Sequence, residues 1–200
     1  MPELDPIAAL AITLHDIGAI QFGRFRLHSG RESRIYVDLR VLVSYPEALR
    51  AATAAYRTVL DALPFDLLAA TPLAGLPIGT ALCLDMDRPL IYPRKTAKSY
   101  GTGKNIEGRY SIGQTVVVID DLVTSGDSIL ETIAAIKAAG LKVHDAVVLI
   151  DREQGGREML AAQGYQLHAV ATLRDMLGSL TAHGRITQPQ LDEVLASLGL

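Results

Sequence analysis

The stretch Val116-Val117-Val118-Ile119-Asp120-Asp121-Leu122-Val123-Thr124-Ser125-Gly126-Asp127-Ser128 decides the fold. Three valines and an isoleucine in succession suit a strand buried on both faces, because side chains branched at Cβ pack well on a pleated surface and lose rotamer freedom in a helix. The run passes straight into two acids and a small polar loop, so the strand delivers Asp120 and Asp121 to its carboxyl end. Paired carboxylates there can hold hydroxyls, or water on a magnesium ion. Thr124 to Ser128 offers small side chains, a glycine and several backbone N–H groups just before a helix, a favourable cradle for a phosphate. A bare Asp-Asp pair is as readily a solvated turn with Asp127 or Ser128 as helix N-cap. The thirteen-residue context favours a sugar-phosphate site.

Working outward, short apolar runs at Leu67–Ala70, Leu90–Tyr92, Ala146–Ile150 and His168–Thr172 read as further buried strands. Helices are predicted between them at Pro77–Asp85, at Ser128–Ala139 with Gly140 as terminator, and at Arg157–Gln163 with Gly164 likewise. This alternation predicts an α/β fold with a mostly parallel central sheet flanked by helices, in which ligands sit beyond the carboxyl ends of the strands. Upstream, Asp5 and Pro6 open a short amphipathic helix that Gly18 ends. Two strands around His28-Ser29-Gly30 follow, so the N-terminal 45 residues read as a small appendage, its strand part over about residues 18–45, and an alanine-rich helix runs from Pro46 to Leu63.

With 200 residues, 49% hydrophobic and 20% charged, the chain can bury a core, and one compact domain over 1–200 is expected. A single cysteine, Cys83, and the lack of a secretory signal pattern predict a reducing, cytoplasmic setting. Net charge of −3 argues against binding nucleic acid or anionic membrane through overall charge. Leu67–Leu84 is free of charge over 18 residues, but Pro72, Gly75, Pro77 and Gly79 break it, so a globular strand, loop and helix are expected instead of a membrane span.

A second signal lies at 93–109, Pro93-Arg94-Lys95-Thr96-Ala97-Lys98-Ser99-Tyr100-Gly101-Thr102-Gly103-Lys104-Asn105-Ile106-Glu107-Gly108-Arg109. Five of the 19 basic residues fall here, opposed only by Glu107. With three glycines and no apolar periodicity it reads as a mobile cationic loop able to close over a polyanion; an exposed basic loop without a partner is the plainer alternative.

The acidic strand end followed by Thr124-Ser125-Gly126 resembles the phosphoribosyl pyrophosphate motif of type I phosphoribosyltransferases. Arg94-Lys95-x-x-Lys98-x-Tyr100-Gly101 is similar to the catalytic loop of the orotate phosphoribosyltransferases. Phe25-Arg26-Leu27-His28-Ser29-Gly30 with Tyr36-Val37-Asp38 resembles their N-terminal hood. Asp151-Arg152-Glu153-Gln154-Gly155-Gly156 matches the segment that supplies their orotate-binding arginine. The resemblance covers about residues 18–175 and implies the type I phosphoribosyltransferase fold.

It implies that Asp120 and Asp121 hold the ribose hydroxyls, near a magnesium ion carried by phosphoribosyl pyrophosphate, and that the segment through Leu122, Val123, Thr124, Ser125, Gly126, Asp127 and Ser128 binds that substrate, with its 5-phosphate on Thr124–Ser128. Arg94, Lys95 and Lys98 would meet the pyrophosphate, with Tyr100 at the loop tip. Arg152 and Thr124 would contact orotate, the arginine through its planar donor fork. The implied reaction transfers ribose 5-phosphate to orotate, giving orotidine 5-monophosphate and pyrophosphate in pyrimidine (UMP) biosynthesis. The family also implies a homodimer whose catalytic loop acts in trans, and the chain's length predicts that the next, decarboxylating step falls to a separate protein.

Four positions depart from the family's pattern. His28 stands where a lysine is common, Leu73 and Ala74 occupy a loop where some members carry tyrosine and lysine, and Arg34 replaces a hood proline. Two rivals follow: transfer to another base, and a non-catalytic regulator that senses phosphoribosyl pyrophosphate, which the absence of a helix-turn-helix pattern opposes. His15-Asp16 reads as a helix-end pair, and Cys83 as a core residue.

Overall fold

The computed structural model describes residues 4–26, 32–94 and 105–200. Helix α1 (Pro6–Asp16) starts where the Asp5 carboxylate accepts the Ala8 amide at 3.2 Å, with Pro6 at a position that needs no N–H. Strands β1 (Ile20–Arg26) and β2 (Glu32–Val37) pair antiparallel, and a 3-10 turn (Leu39–Ser44) leads into α2 (Pro46–Leu60). There follow β3 (Leu67–Ala70), α3 (Gly75–Met86), β4 (Leu90–Pro93), β5 (Ile106–Glu107), β6 (Thr115–Val123), α4 (Asp127–Ala138), β7 (Lys142–Asp151), α5 (Gly156–Ala162) and β8 (Gln166–Thr172). Helices α6 (Leu173–Ala182) and α7 (Gln188–Leu198) close the chain. Each opens on a capping box, Thr172 with Asp175 and Thr187 with Gln190, a signal the sequence reading passed over.

These elements group into two compact units, residues 1–51 with 171–200 and residues 52–170. In the first, α1 packs on α6, and α7 packs on β2 and α6. The expected N-terminal appendage therefore shares a core with the C-terminal helices. The reason is that α1 has an apolar stripe to cover, and Leu14, Leu173, Met176, Leu177 and Leu180 are all fully buried.

The second unit carries a six-stranded sheet in the order β5-β4-β3-β6-β7-β8. The pairs β3–β4, β3–β6 and β6–β7 are parallel and β4–β5 antiparallel, which bears out the α/β class. Two expectations are corrected. The central strand does not stop at Ile119 but runs to Val123, because β7 pairs with it as far as Val123 with Asp151, so both acids lie within the ladder. The basic segment is not loop throughout, since Ile106 is buried and pairs with Pro93 in β5. Among the described residues, no helix is long and apolar enough to cross a membrane; the uncharged Leu67–Leu84 stretch becomes β3, a loop and most of α3. Cys83 sits half-buried on α3, outside the core proper.

Candidate active site

At the carboxyl ends of β3 and β6, the loop Thr71–Ala74 and the segment Asp120–Ile129 line a cleft of about 210 Å³. Parallel strands end together here, so the groups that follow them converge. Helix α4 opens on Gly126 with no side-chain cap, so the alternative of a turn capped by Asp127 or Ser128 is not the one formed. The Asp127 carboxylate instead accepts the Ser125 hydroxyl at 2.5 Å. The first-turn amides thus have no capping oxygen and favour an anion.

The acids are held by the chain that carries them. The Asp120 carboxylate accepts the Asp121 amide at 2.9 Å, and the Asp121 carboxylate accepts the Leu122 amide at 2.9 Å. Asp120 is only 6% exposed. The start of α3 lies against it: a Cβ on Gly75 would stand 2.7 Å from the Ile119 carbonyl oxygen and 3.5 Å from Asp120 Oδ1. Burial, then the neighbouring Asp121 charge, pushes the Asp120 carboxyl well above the usual carboxylate range, while the Thr71 hydroxyl bound to it pulls the other way. Thr71 in turn accepts the buried Thr132 hydroxyl at 3.3 Å. From α2, the fully buried Tyr56 donates its hydroxyl to the Asp120 carbonyl at 2.6 Å. Neither Tyr56 nor Thr132 was singled out from sequence, because each sits in an ordinary helical pattern.

Arg152 follows β7, and its backbone amide donates to the Val123 carbonyl at 3.0 Å, which sets it beside Thr124. The residue is 8% exposed, and among the described residues its Nε and Nη2 have no hydrogen-bond partner. Burial alone lowers its pKa. Its neighbour Asp151 is locked by Arg157 Nε at 3.0 Å and the Glu153 amide at 2.9 Å. Helix α5 starts hard against the candidate phosphate loop, since a Cβ on Gly156 would meet Val123 Cγ2 at 2.5 Å and the Thr124 carbonyl oxygen at 2.8 Å. Val123 itself packs into the core, so its side chain is structural.

Arg94 does not line this cleft. Its guanidinium pairs with Glu107 across β4 and β5, and it borders a neighbouring cavity of about 450 Å³ that shares Thr71, Pro72 and Ser128. Leu73 and Ala74 do line the cleft, with Leu73 well exposed. Lys95, Lys98, Tyr100 and His28 lie outside the described residues. Arg34, at the departure in β2, forms an ion pair with Glu193 at 3.1 Å. His15 and Asp16 pair at 3.2 Å at the end of α1, as expected.

Residues 47–162 match the phosphoribosyl transferase domain. The chain is 42% identical over 185 residues to the bifunctional enzyme PyrF/PyrE of Nostoc, covering 92% of this chain and 39% of that protein. It is 42% identical over 166 residues to the orotate phosphoribosyltransferase of Pyrobaculum islandicum, covering 82% and 86% respectively. Among solved structures, Leishmania donovani UMP synthase superposes with a TM-score of 0.89 at 42% identity over 96% of this chain and 42% of that one. Orotate phosphoribosyltransferase from Aeropyrum pernix does so with a TM-score of 0.75 at 35% identity, over 86% and 98%. The chain spans about two fifths of the length of the first curated relatives it matches, 39% and 40%. With this fold, this cleft and these relatives, the chain belongs to the phosphoribosyl transferase domain family and, within it, to the orotate phosphoribosyltransferases.

Proposed function

We propose that this chain transfers the ribose 5-phosphate of phosphoribosyl pyrophosphate to orotate, forming the bond from orotate N1 to the anomeric carbon as the pyrophosphate oxygen leaves, with inversion. The observation that carries this reading is Arg152, a nearly buried guanidinium at the edge of the Thr124 loop, two of whose nitrogens have no partner among the described residues. A buried donor fork left unpaired is costly and is kept where a planar anion such as a carboxylate completes it. The uncapped start of α4 suits the 5-phosphate, and Asp120 and Asp121 suit the ribose hydroxyls.

A magnesium ion fits the acid pair. Among the described residues, no group of three ligating side chains gathers anywhere, and magnesium characteristically takes one or two carboxylates and fills its shell with water and substrate phosphate oxygens. When bound, it supplies charge neutralisation to the departing pyrophosphate. The residues of the chain do the rest: Arg152 orients the base, the acids hold the sugar, and the charges of Arg94, Lys95 and Lys98, with Tyr100, serve the pyrophosphate.

Assembly as a homodimer with loops acting in trans belongs to the same reading. Support comes from Leu84 on α3, an apolar side chain 81% exposed, and from Arg94 lining a cavity other than the cleft. Cytoplasmic residence rests on the single cysteine.

The test is orotate consumption followed by ultraviolet absorbance with phosphoribosyl pyrophosphate and magnesium, beside uracil, hypoxanthine and adenine. Turnover of orotate alone, abolished in Lys98→Ala, is expected; turnover of another base would overturn the substrate. Mixing inactive Lys98→Ala and Arg152→Met proteins should restore activity if loops act in trans, and no restoration would overturn that part.

A further inference from the structure

The geometry points to Tyr56 as a positioning residue: its hydroxyl sets the plane of the peptide between Asp120 and Asp121 and thereby holds the Asp120 carboxylate in place at the cleft. This rests on reading the cleft as a ribose-phosphate site.

The peptide in question is gripped at both ends. Its carbonyl accepts the Tyr56 hydroxyl at 2.6 Å, and its N–H donates to the Asp120 carboxylate at 2.9 Å. Turning this peptide would carry its N–H away from the Asp120 carboxylate, so the plane that the tyrosine sets also fixes that carboxylate. Strand β6 cannot shed that freedom by pairing alone, since its ladder with β3 ends at Ile119 and only β7 pairs with it from Asp120 to Val123. A donor from α2, entering from outside the sheet, removes it.

Tyr56 is also the only ordinary residue that fills its place with a hydroxyl at that reach. It is completely buried on α2, in company with Ala52 and Leu60, which are buried and apolar. A phenylalanine would serve the packing equally well, because it loses no carbon atom. The hydroxyl therefore has a role the core does not require. Burying it is tolerable only with partners, and those it finds are backbone groups, the Asp120 carbonyl of the acid pair and the Leu149 amide of β7, not side chains.

The test is Tyr56→Phe, beside Leu60→Val as a packing control on the same helix, read by calorimetric titration with two probes. Ribose 5-phosphate engages both the loop and the acids, whereas inorganic phosphate engages the loop alone. Tyr56→Phe should weaken ribose 5-phosphate binding about tenfold, the scale of one well-aligned hydrogen bond to a charged group, while leaving inorganic phosphate binding within about twofold, a difference too small to count as a lost contact. Leu60→Val should bind both probes as the parent does. Equal ribose 5-phosphate affinity in Tyr56→Phe and parent would overturn the proposal, as would equal weakening of both probes or the same loss in Leu60→Val. If the parent protein binds neither probe, the reading of the cleft fails and the proposal falls with it.

Discussion

The Tyr56 hydroxyl and the Asp120 carbonyl oxygen, 2.6 Å apart, join α2 to the end of β6 across 64 residues of chain. The contact lies under a carboxyl group that the fold holds at a cost, because Asp120 is buried beside a second acid. Sites built to bind ligands often store instability of this kind.

Asp120→Asn should therefore stabilise the free protein. With its folded pKa raised above the ordinary aspartate value of 3.8, Asp120 holds an extra proton in the native state between those two values. Stability is lost as pH rises through that window, and the penalty is complete above it. The variant should gain about 1–2 kcal/mol over the parent at pH 8, an ordinary single-site magnitude, and the gain should vanish as pH falls below 3.8. Urea denaturation at both ends of the range measures it; a gain independent of pH would contradict the assignment.

Gly156→Ala forces α5 off the Thr124 loop, since the new methyl would sit 2.5 Å from Val123 Cγ2. Overpacking of this kind costs about 1–3 kcal/mol. Thermal unfolding with and without inorganic phosphate should show a lower midpoint and a smaller ligand-induced rise, while an unchanged rise would mean that α5 does not support the phosphate loop.

Arg152→Met removes a buried charge whose Nε and Nη2 have no partner among the described residues. Replacing such a group by an apolar one of similar length should leave the free protein as stable, or more stable by about 1–2 kcal/mol. Orotate binding, followed calorimetrically, should be lost. Arg152→Lys should not recover it, because a point charge cannot present the planar fork. Retained orotate affinity in either variant would remove Arg152 from the base site.

Thr172→Ala dismantles the capping box with Asp175 at the start of α6. The expected cost is about 1 kcal/mol, seen as a lower denaturation midpoint with orotate and phosphoribosyl pyrophosphate KM values unchanged. A shift in KM would tie the C-terminal helices to the site.

What the sequence determined by itself was whatever neighbouring residues decide among themselves. The apolar run Leu67–Ala70 became β3 to the residue, Asp5 capped α1, and the β-branched run ahead of Asp120 became the central strand that carries the cleft. The order of acids, small loop and helix start is likewise local chemistry. Partners distant in sequence decided the rest. Pairing with β7 carried β6 past Ile119 through both acids, and antiparallel pairing with β4 drew Ile106 and Glu107 out of the basic segment to capture Arg94. No pattern around Tyr56 foretells Asp120, and nothing around Arg152 foretells its burial, because solvent exclusion depends on which segments close over a group. Local propensity and capping act over a few residues, whereas desolvation and the contacts that shift a carboxyl or strand a guanidinium exist only once the chain has packed.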